Sequence, residues 1–326
     1  MKRKILIASI LLLLIVSYVC IHYKGKQPPH ISFETDLLIP TTPIKNQEDW
    51  GIGWTCATLS LLESERILAG DSLQLSVTYL ARTLCLECAQ SHKDSIEFSH
   101  SLSYCFHLLE KYGIIPFDFY NKHLPISARK FQKIYQQHTD SRQSLFPLDT
   151  IFPSPPSYIS FYHAPYTPQE MLHSVLKENS YEVFSPIPPF SLPQDMKREH
   201  THYLSPKNTI PFIQKTLRNK HSLIWYGDTL HNGYSSSQGT AFAVEEPITH
   251  SSFTSKSLHA LHIIGIAHIK EGESPQQDKS SLYFIAKDSH GKSNKFKGYI
   301  YISENYIKRY TLALYRIKNG GVSQTI

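Results

Sequence analysis

Residues 46–65 read Asn46-Gln47-Glu48-Asp49-Trp50-Gly51-Ile52-Gly53-Trp54-Thr55-Cys56-Ala57-Thr58-Leu59-Ser60-Leu61-Leu62-Glu63-Ser64-Glu65. The first half is polar and carries Gly51 and Gly53, which is the composition of a loop. From Trp54 to Leu68 the apolar positions Leu59, Leu62 and Ile67 alternate with Glu63, Glu65 and Arg66 at helical spacing, so a helix is predicted there. A loop running into a helix start presents unpaired backbone N–H groups and the positive end of the helix dipole. Thiolates, oxyanions and carboxylates are stabilised at such points.

Working outward, further helices are expected at about 75–90, 100–112, 127–138 and 208–219. Tyr112-Gly113 ends the second of these, with Gly113 suited to a left-handed cap. Residues 185–206, with Pro186, Pro188, Pro189, Pro193 and Pro206, read as loop. The last third changes character. Segments 222–226, 261–269, 282–285 and 298–302 are rich in β-branched and aromatic residues and read as strands. Helices early and strands late predict an α+β fold of two lobes. The domain is placed at 41–320, with a helical lobe at about 41–150 and a β-rich lobe at about 205–315. A site built from both lobes would lie in the cleft between them.

The amino end has a separate logic. Lys2-Arg3-Lys4 precedes an uncharged apolar run from Ile5 to about His22, close to the ~20 residues that cross a bilayer as a helix. The positive flank keeps that end in the cytoplasm, so the domain is expected outside it, in a bacterial periplasm or cell envelope. Residues 1–23 are therefore read as a transmembrane anchor or signal helix, and 24–40 as a tether to the domain. A lipoprotein attached through Cys20, or a secreted chain, are the alternatives.

Composition excludes several classes. At 41% hydrophobic and 18% charged residues most of the chain should fold. The net charge of +6 is spread along the chain, so no nucleic-acid footprint is expected. Five cysteines are too few for a disulfide scaffold. Cys85 and Cys88 form one C-x-x-C without a second pair, and read as semi-buried thiols or a single disulfide rather than a metal site. No cofactor is expected.

The segment opening at Asn46 resembles the N-Q-x(5)-C-W motif of papain-like cysteine peptidases. Gln47 and Trp54 match without a gap, and Gly53 falls on the nucleophile. The likeness is to the bleomycin hydrolase and aminopeptidase C group. Residues 57–65 resemble the start of its central helix, and 75–82 and 96–120 its following helices. Trp225-Tyr226-Gly227-Asp228 resembles its W-x-G-D strand. Leu258-His259-Ala260-Leu261 resembles its D-H-(G/A)-M box, Ala286-Lys287-Asp288-Ser289-His290-Gly291 its V-K-N-S-W-G box, and 298–304 its final strand and turn. The resemblance implies a papain-like two-lobed fold, Gln47 as oxyanion donor, His259 as catalytic imidazole and Asp288 as its orienting group. Trp54 and His290 are expected to serve binding.

The departures gather at the site. Gly53 stands for Cys, Asp288 for Asn, His290 for the shielding Trp, and Leu258 for Asp or Thr. Without a nucleophile such a unit loses on the order of a million-fold in rate. The expected function is a catalytically inactive peptidase homologue, anchored at an envelope, binding a peptide or protein in its cleft. Two alternatives stand beside it. Cys56, three positions on, could act as nucleophile in a cysteine-type aminopeptidase, although ~4.5 Å further along the helix axis it leaves the helix start, and a core cysteine is the plainer reading. His259, Asp288 and His290 could converge on a metal and hydrolyse with it. The chain holds 18 histidines, however, and most are expected to be surface residues. Sequence also leaves open whether the space above Gly53 is empty or filled by Trp50, Trp54 or His290.

Overall fold

The structure is a computed structural model. It describes residues 31–318 apart from 92–94, 99, 121–122, 141–147, 178–179, 189–190, 193–200, 232, 245–256, 271–277 and 279. The expected N-terminal helix and Cys20 lie outside the described residues. Among the described residues no helix is long and apolar enough to cross a membrane.

In chain order the elements are β1 (Phe33–Leu38), α1 (Gly53–Leu68), α2 (Val77–Gln90), α3 (Leu102–Tyr112), α4 (Ala128–Asp140), β2 (Ile159–Phe161), β3 (Ala164–Tyr166), α5 (Pro168–Val175), β4 (Tyr181–Ser185), β5 (Thr201–Tyr203), α6 (Thr209–Arg218), β6 (Leu223–Asp228), β7 (Tyr234–Ser235), β8 (Thr240–Ala241), β9 (Leu258–Ile269), β10 (Tyr283–Lys287), β11 (Tyr299–Ser303), α7 (Glu304–Tyr310) and β12 (Thr311–Ile317). Helices come first and strands later, an α+β arrangement. Gly113 caps α3 with φ of 76°. A Cβ there would lie 2.1 Å from the backbone of Pro168, so glycine is required.

One large sheet runs β5-β4-β12-β6-β9-β10-β11-β8-β7, with β1 also paired to β9. β9 is its organiser. One of its edges carries β6 along Leu258–Ile263 and β1 along Gly265–Ile269, while β10 takes the other. Two expectations are corrected here. Residues 33–38, read as tether, are a sheet strand, because Phe33 stacks on Tyr301 and the backbone finds partners on β9. Residues 201–203, read as loop, pair in parallel with β4.

β6 is buried along its whole length. Ile224 and Tyr226 belong to one apolar core and Leu223 and Trp225 to another, as alternation across a strand requires. The first core is shared with the helices, the second with α6, α7 and the rest of the sheet. Cys56, Cys85, Cys88 and Cys105 are buried thiols that form no disulfide with one another.

α1 departs from the amphipathic pattern. It is buried from Gly53 through Arg66, charged residues included. Each buried charge has a partner. Glu63 accepts from Leu75 N at 2.5 Å and pairs with Lys45 at 2.6 Å. Glu65 pairs with His221 at 2.7 Å and accepts from Ser222 N at 3.0 Å. Arg66 meets Asp71 at 2.9 Å. These pairs tie the central helix to its surroundings. Glu63→Ala leaves Lys45, whose side chain is 9% exposed, without its carboxylate partner and with only Leu75 O as acceptor at 3.0 Å. Removing one partner of a buried pair costs about 3–5 kcal/mol. Denaturant unfolding of Glu63→Ala should show a loss of that size, and a loss near zero would refute the tie.

Candidate active site

The loop before α1 is sewn to the segment after β10. Gln47 N donates to Ser289 O at 2.8 Å, and Asn46 and His290 form an antiparallel bridge. Glu48 takes a positive φ of 51°, with its N–H on Asn46 Oδ1 at 3.0 Å. This pins Gln47, which is 4% exposed. Its Nε2 lies 3.1 Å from His290 Nε2, and its Oε1 is buried without a hydrogen-bond partner.

Gly53 is the first residue of α1. The space its side chain would enter is already taken. A Cβ on Gly53 would lie 2.7 Å from Ser289 Oγ, 2.9 Å from His259 Cε1 and 3.3 Å from Gln47 Oε1. None of Trp50, Trp54 or His290 is among these closest neighbours. Trp50 and Trp54 are turned into the helical core, at 1% and 4% exposure, donating to Ile126 O and Phe98 O. Trp54, expected to serve binding, thus offers a ligand little surface.

Asp288 follows β10 and is the hub of the site. Its Oδ1 meets His259 Nε2 at 2.9 Å, and its Oδ2 meets His290 Nδ1 at 2.9 Å. Ser236 Oγ donates to Oδ2 at 2.9 Å and Ser289 N to Oδ1 at 2.7 Å. Burial by itself would raise its pKa, but the hydrogen bonds from His259 and His290 hold the carboxyl well below the usual carboxylate range. His290, whose side chain is 46% exposed, is raised by its hydrogen bond to Asp288 against the opposing effect of burial. His259, Asp288 and His290, which the sequence suggested could converge, do meet, His259 coming from β9, where it faces Gly227 of β6.

Behind the site is a water-sized cavity of about 10 Å³, lined by Cys56, Ser60, His262, Lys287 and Ser289 among others. Burial pushes the Cys56 thiol up to about 12 and draws Lys287 down to about 8. Lys287 Nζ donates to Ser60 Oγ at 2.5 Å and Thr42 O at 2.8 Å. A buried, protonated thiol is a poor nucleophile. A second cavity, of about 270 Å³, adjoins the Asn46–Glu48 loop and is lined by Ile44, Val77 and Phe117 among others.

No protein-family model matches the chain, and no curated protein matches it. Solved structures do. PepW from Lactobacillus rhamnosis superposes with a TM-score of 0.58 at 12% identity, covering 88% of this chain and 82% of that one. Xylellain, a cysteine protease from Xylella fastidiosa, gives 0.52 at 13% identity, covering 90% of each chain. The fold is that of papain-like cysteine proteases. SERA5E from Plasmodium falciparum gives 0.51 at 15% identity, covering 87% of this chain and 92% of that one. At these identities the likeness concerns the fold alone.

The sequence reading singled out neither Ser289 nor Ser236 within this group. Ser289 lies inside the matched Ala286–Gly291 box, so its neighbourhood was visible. Ser236 is 52 residues from Asp288, and nothing in its local sequence signals the contact.

Two outcomes follow from this geometry. In Gly53→Cys the new Cβ presses on an imidazole fixed by Asp288, and overpacking of this kind costs about 1–3 kcal/mol. Denaturant unfolding should show that loss, and adding Ser289→Ala should recover part of it; full stability of the single variant would contradict the crowding. The second concerns pH. Asp288 has a depressed pKa, so its stabilisation is present above about pH 4 and lost as pH falls through its folded value. His290 has a raised pKa, so its stabilisation is present below about pH 6.5 and lost as pH rises through its folded value. In Asp288→Asn the His290 imidazole should titrate lower, read by NMR, and the plateau of stability between those limits should flatten.

Proposed function

We propose that this chain is a non-cleaving homologue of the bleomycin hydrolase and aminopeptidase C group, with Gly53 at the position of the nucleophilic cysteine. It holds a peptide or protein segment beside Gln47, His259 and His290. An N-terminal membrane helix carries the domain outside the cytoplasm. The observation that carries this reading is the occupied space at Gly53. Ser289, His259 and Gln47 have closed on the place from which a nucleophilic side chain would project. The site retains an imidazole and its carboxylate without an atom to attack a carbonyl.

Cys56 offers no substitute. It is buried, lines the water-sized cavity behind the site, and has its thiol pushed up to about 12 by burial. Binding without turnover suits what remains. Gln47 Oε1 is an acceptor without a partner, and the cavity beside Asn46 and Glu48 has room for a side chain.

The experiment is hydrolysis of fluorogenic aminoacyl and peptide substrates by the purified protein, with a thiol-reactive probe in parallel. No turnover above background and no native labelling of Cys56 are expected. Turnover that a thiol inhibitor abolishes, and that Cys56→Ala removes, would overturn the proposal. Pull-down of a peptide library, with binding weakened by Gln47→Ala, would identify the ligand.

A further inference from the structure

Two imidazoles from different parts of the chain point at one carboxylate. His259 Nε2 and His290 Nδ1 each stand 2.9 Å from a different oxygen of Asp288. The two ring centroids are 5.7 Å apart. One ligand atom from each of His259, Asp288 and His290 can be chosen so that all three lie within 4.8 Å of one another. An ion with bonds of about 2.0–2.2 Å to nitrogen and carboxylate oxygen needs ligand atoms gathered on this scale. We propose that His259, Asp288 and His290 form a binding site for one divalent transition-metal ion of the zinc class, a property that goes beyond the peptide-holding role although it uses two of the same side chains.

The donor set selects the ion. Two imidazoles and one carboxylate suit Zn²⁺, Cu²⁺, Ni²⁺ or Co²⁺, whereas Mg²⁺ and Ca²⁺ prefer oxygen donors throughout. Access selects the geometry. The Asp288 side chain is 1% exposed and His259 is 17% exposed, but His290 is 46% exposed. An ion seated among them therefore keeps its remaining coordination open to solvent from the His290 side. Ser236 Oγ and Ser289 N, both on the Asp288 carboxylate, orient it from behind.

A second, independent observation concerns Gln47. Its Nε2 faces His290 Nε2 at 3.1 Å, which requires a bare ring nitrogen, and its Oε1 is buried with no partner. If His290 binds a metal through Nδ1, its Nε2 becomes an N–H donor. A ligating histidine normally gives that proton to an outer acceptor. A half-turn of the Gln47 amide supplies one, pairing Oε1 with His290 and freeing Nε2 to point toward Gly53. The metal then sets the amide orientation that presents a donor at the helix start.

The test uses the full-length chain, stripped with a chelator and titrated with Zn²⁺ against a chromophoric competitor. Co²⁺ is added in parallel for its visible absorption. One equivalent should bind, and Mg²⁺ should not compete. His290→Ala, at a half-exposed side chain whose fold is checked by circular dichroism, should abolish that equivalent. Gln47→Ala should weaken it on the order of 10–100-fold. His268→Ala is the control, because His268 lies 3.3 Å from Glu34 and 2.8 Å from Asp36 on the surface. The proposal is overturned if no equivalent binds, if His290→Ala leaves it intact, or if His268→Ala is what removes it.

Discussion

A helix buried on every side is the constraint from which the rest of the molecule follows. α1 carries Glu63, Glu65 and Arg66 into the buried interior. Charges there must be paired, and unpaired ones are costly. Lys45, from the loop before the helix, answers Glu63. His221 and Ser222, from the approach to β6, answer Glu65. Asp71, just past the helix, answers Arg66. Three different parts of the chain are fixed around one helix by the demand for charge partners. The start of that helix is consequently held in a constant place relative to β9 and β10.

That placement defines the site. β10 ends at Lys287, and adjacent residues in an extended segment point to opposite sides. Lys287 turns into the interior to donate to Ser60 and Thr42, while Asp288 turns to His259 and His290. The lysine and the aspartate are thus held by opposite environments one residue apart. The bridge between Asn46 and His290 then closes the loop over them. The absence of a side chain at Gly53 belongs to the same packing, since Ser289, His259 and Gln47 occupy that space.

Much of the frame was legible in local pattern. Helices at 75–90, 100–112 and 208–219 and strands at 222–226 and 298–302 lie within a few residues of the observed elements, because periodicity and β-branched content are local properties. Two strands were read as tether and loop. Phe33–Leu38 has all six residues at intermediate or full exposure, with polar Glu34, Thr35 and Asp36 at its centre, and Thr201–Tyr203 is three residues long. Each exists because a distant strand offers backbone partners, a condition that no window of sequence contains.

By itself the sequence determined the type of the most strongly patterned elements, the α+β class, the glycine at residue 53 and the cluster of unusual residues at 288–290. These rest on residue identity and short-range period. Only the tertiary structure decided that the charged face of α1 is buried, that Trp54 faces the core, and that Ser289 and Ser236 join the group around Asp288. It also decided that His259 and His290 share one carboxylate. The contacts of His259 and Ser236 with Asp288 join residues 29 and 52 positions apart, and long-range packing sets them, because which side of a helix meets a sheet depends on partners elsewhere in the chain.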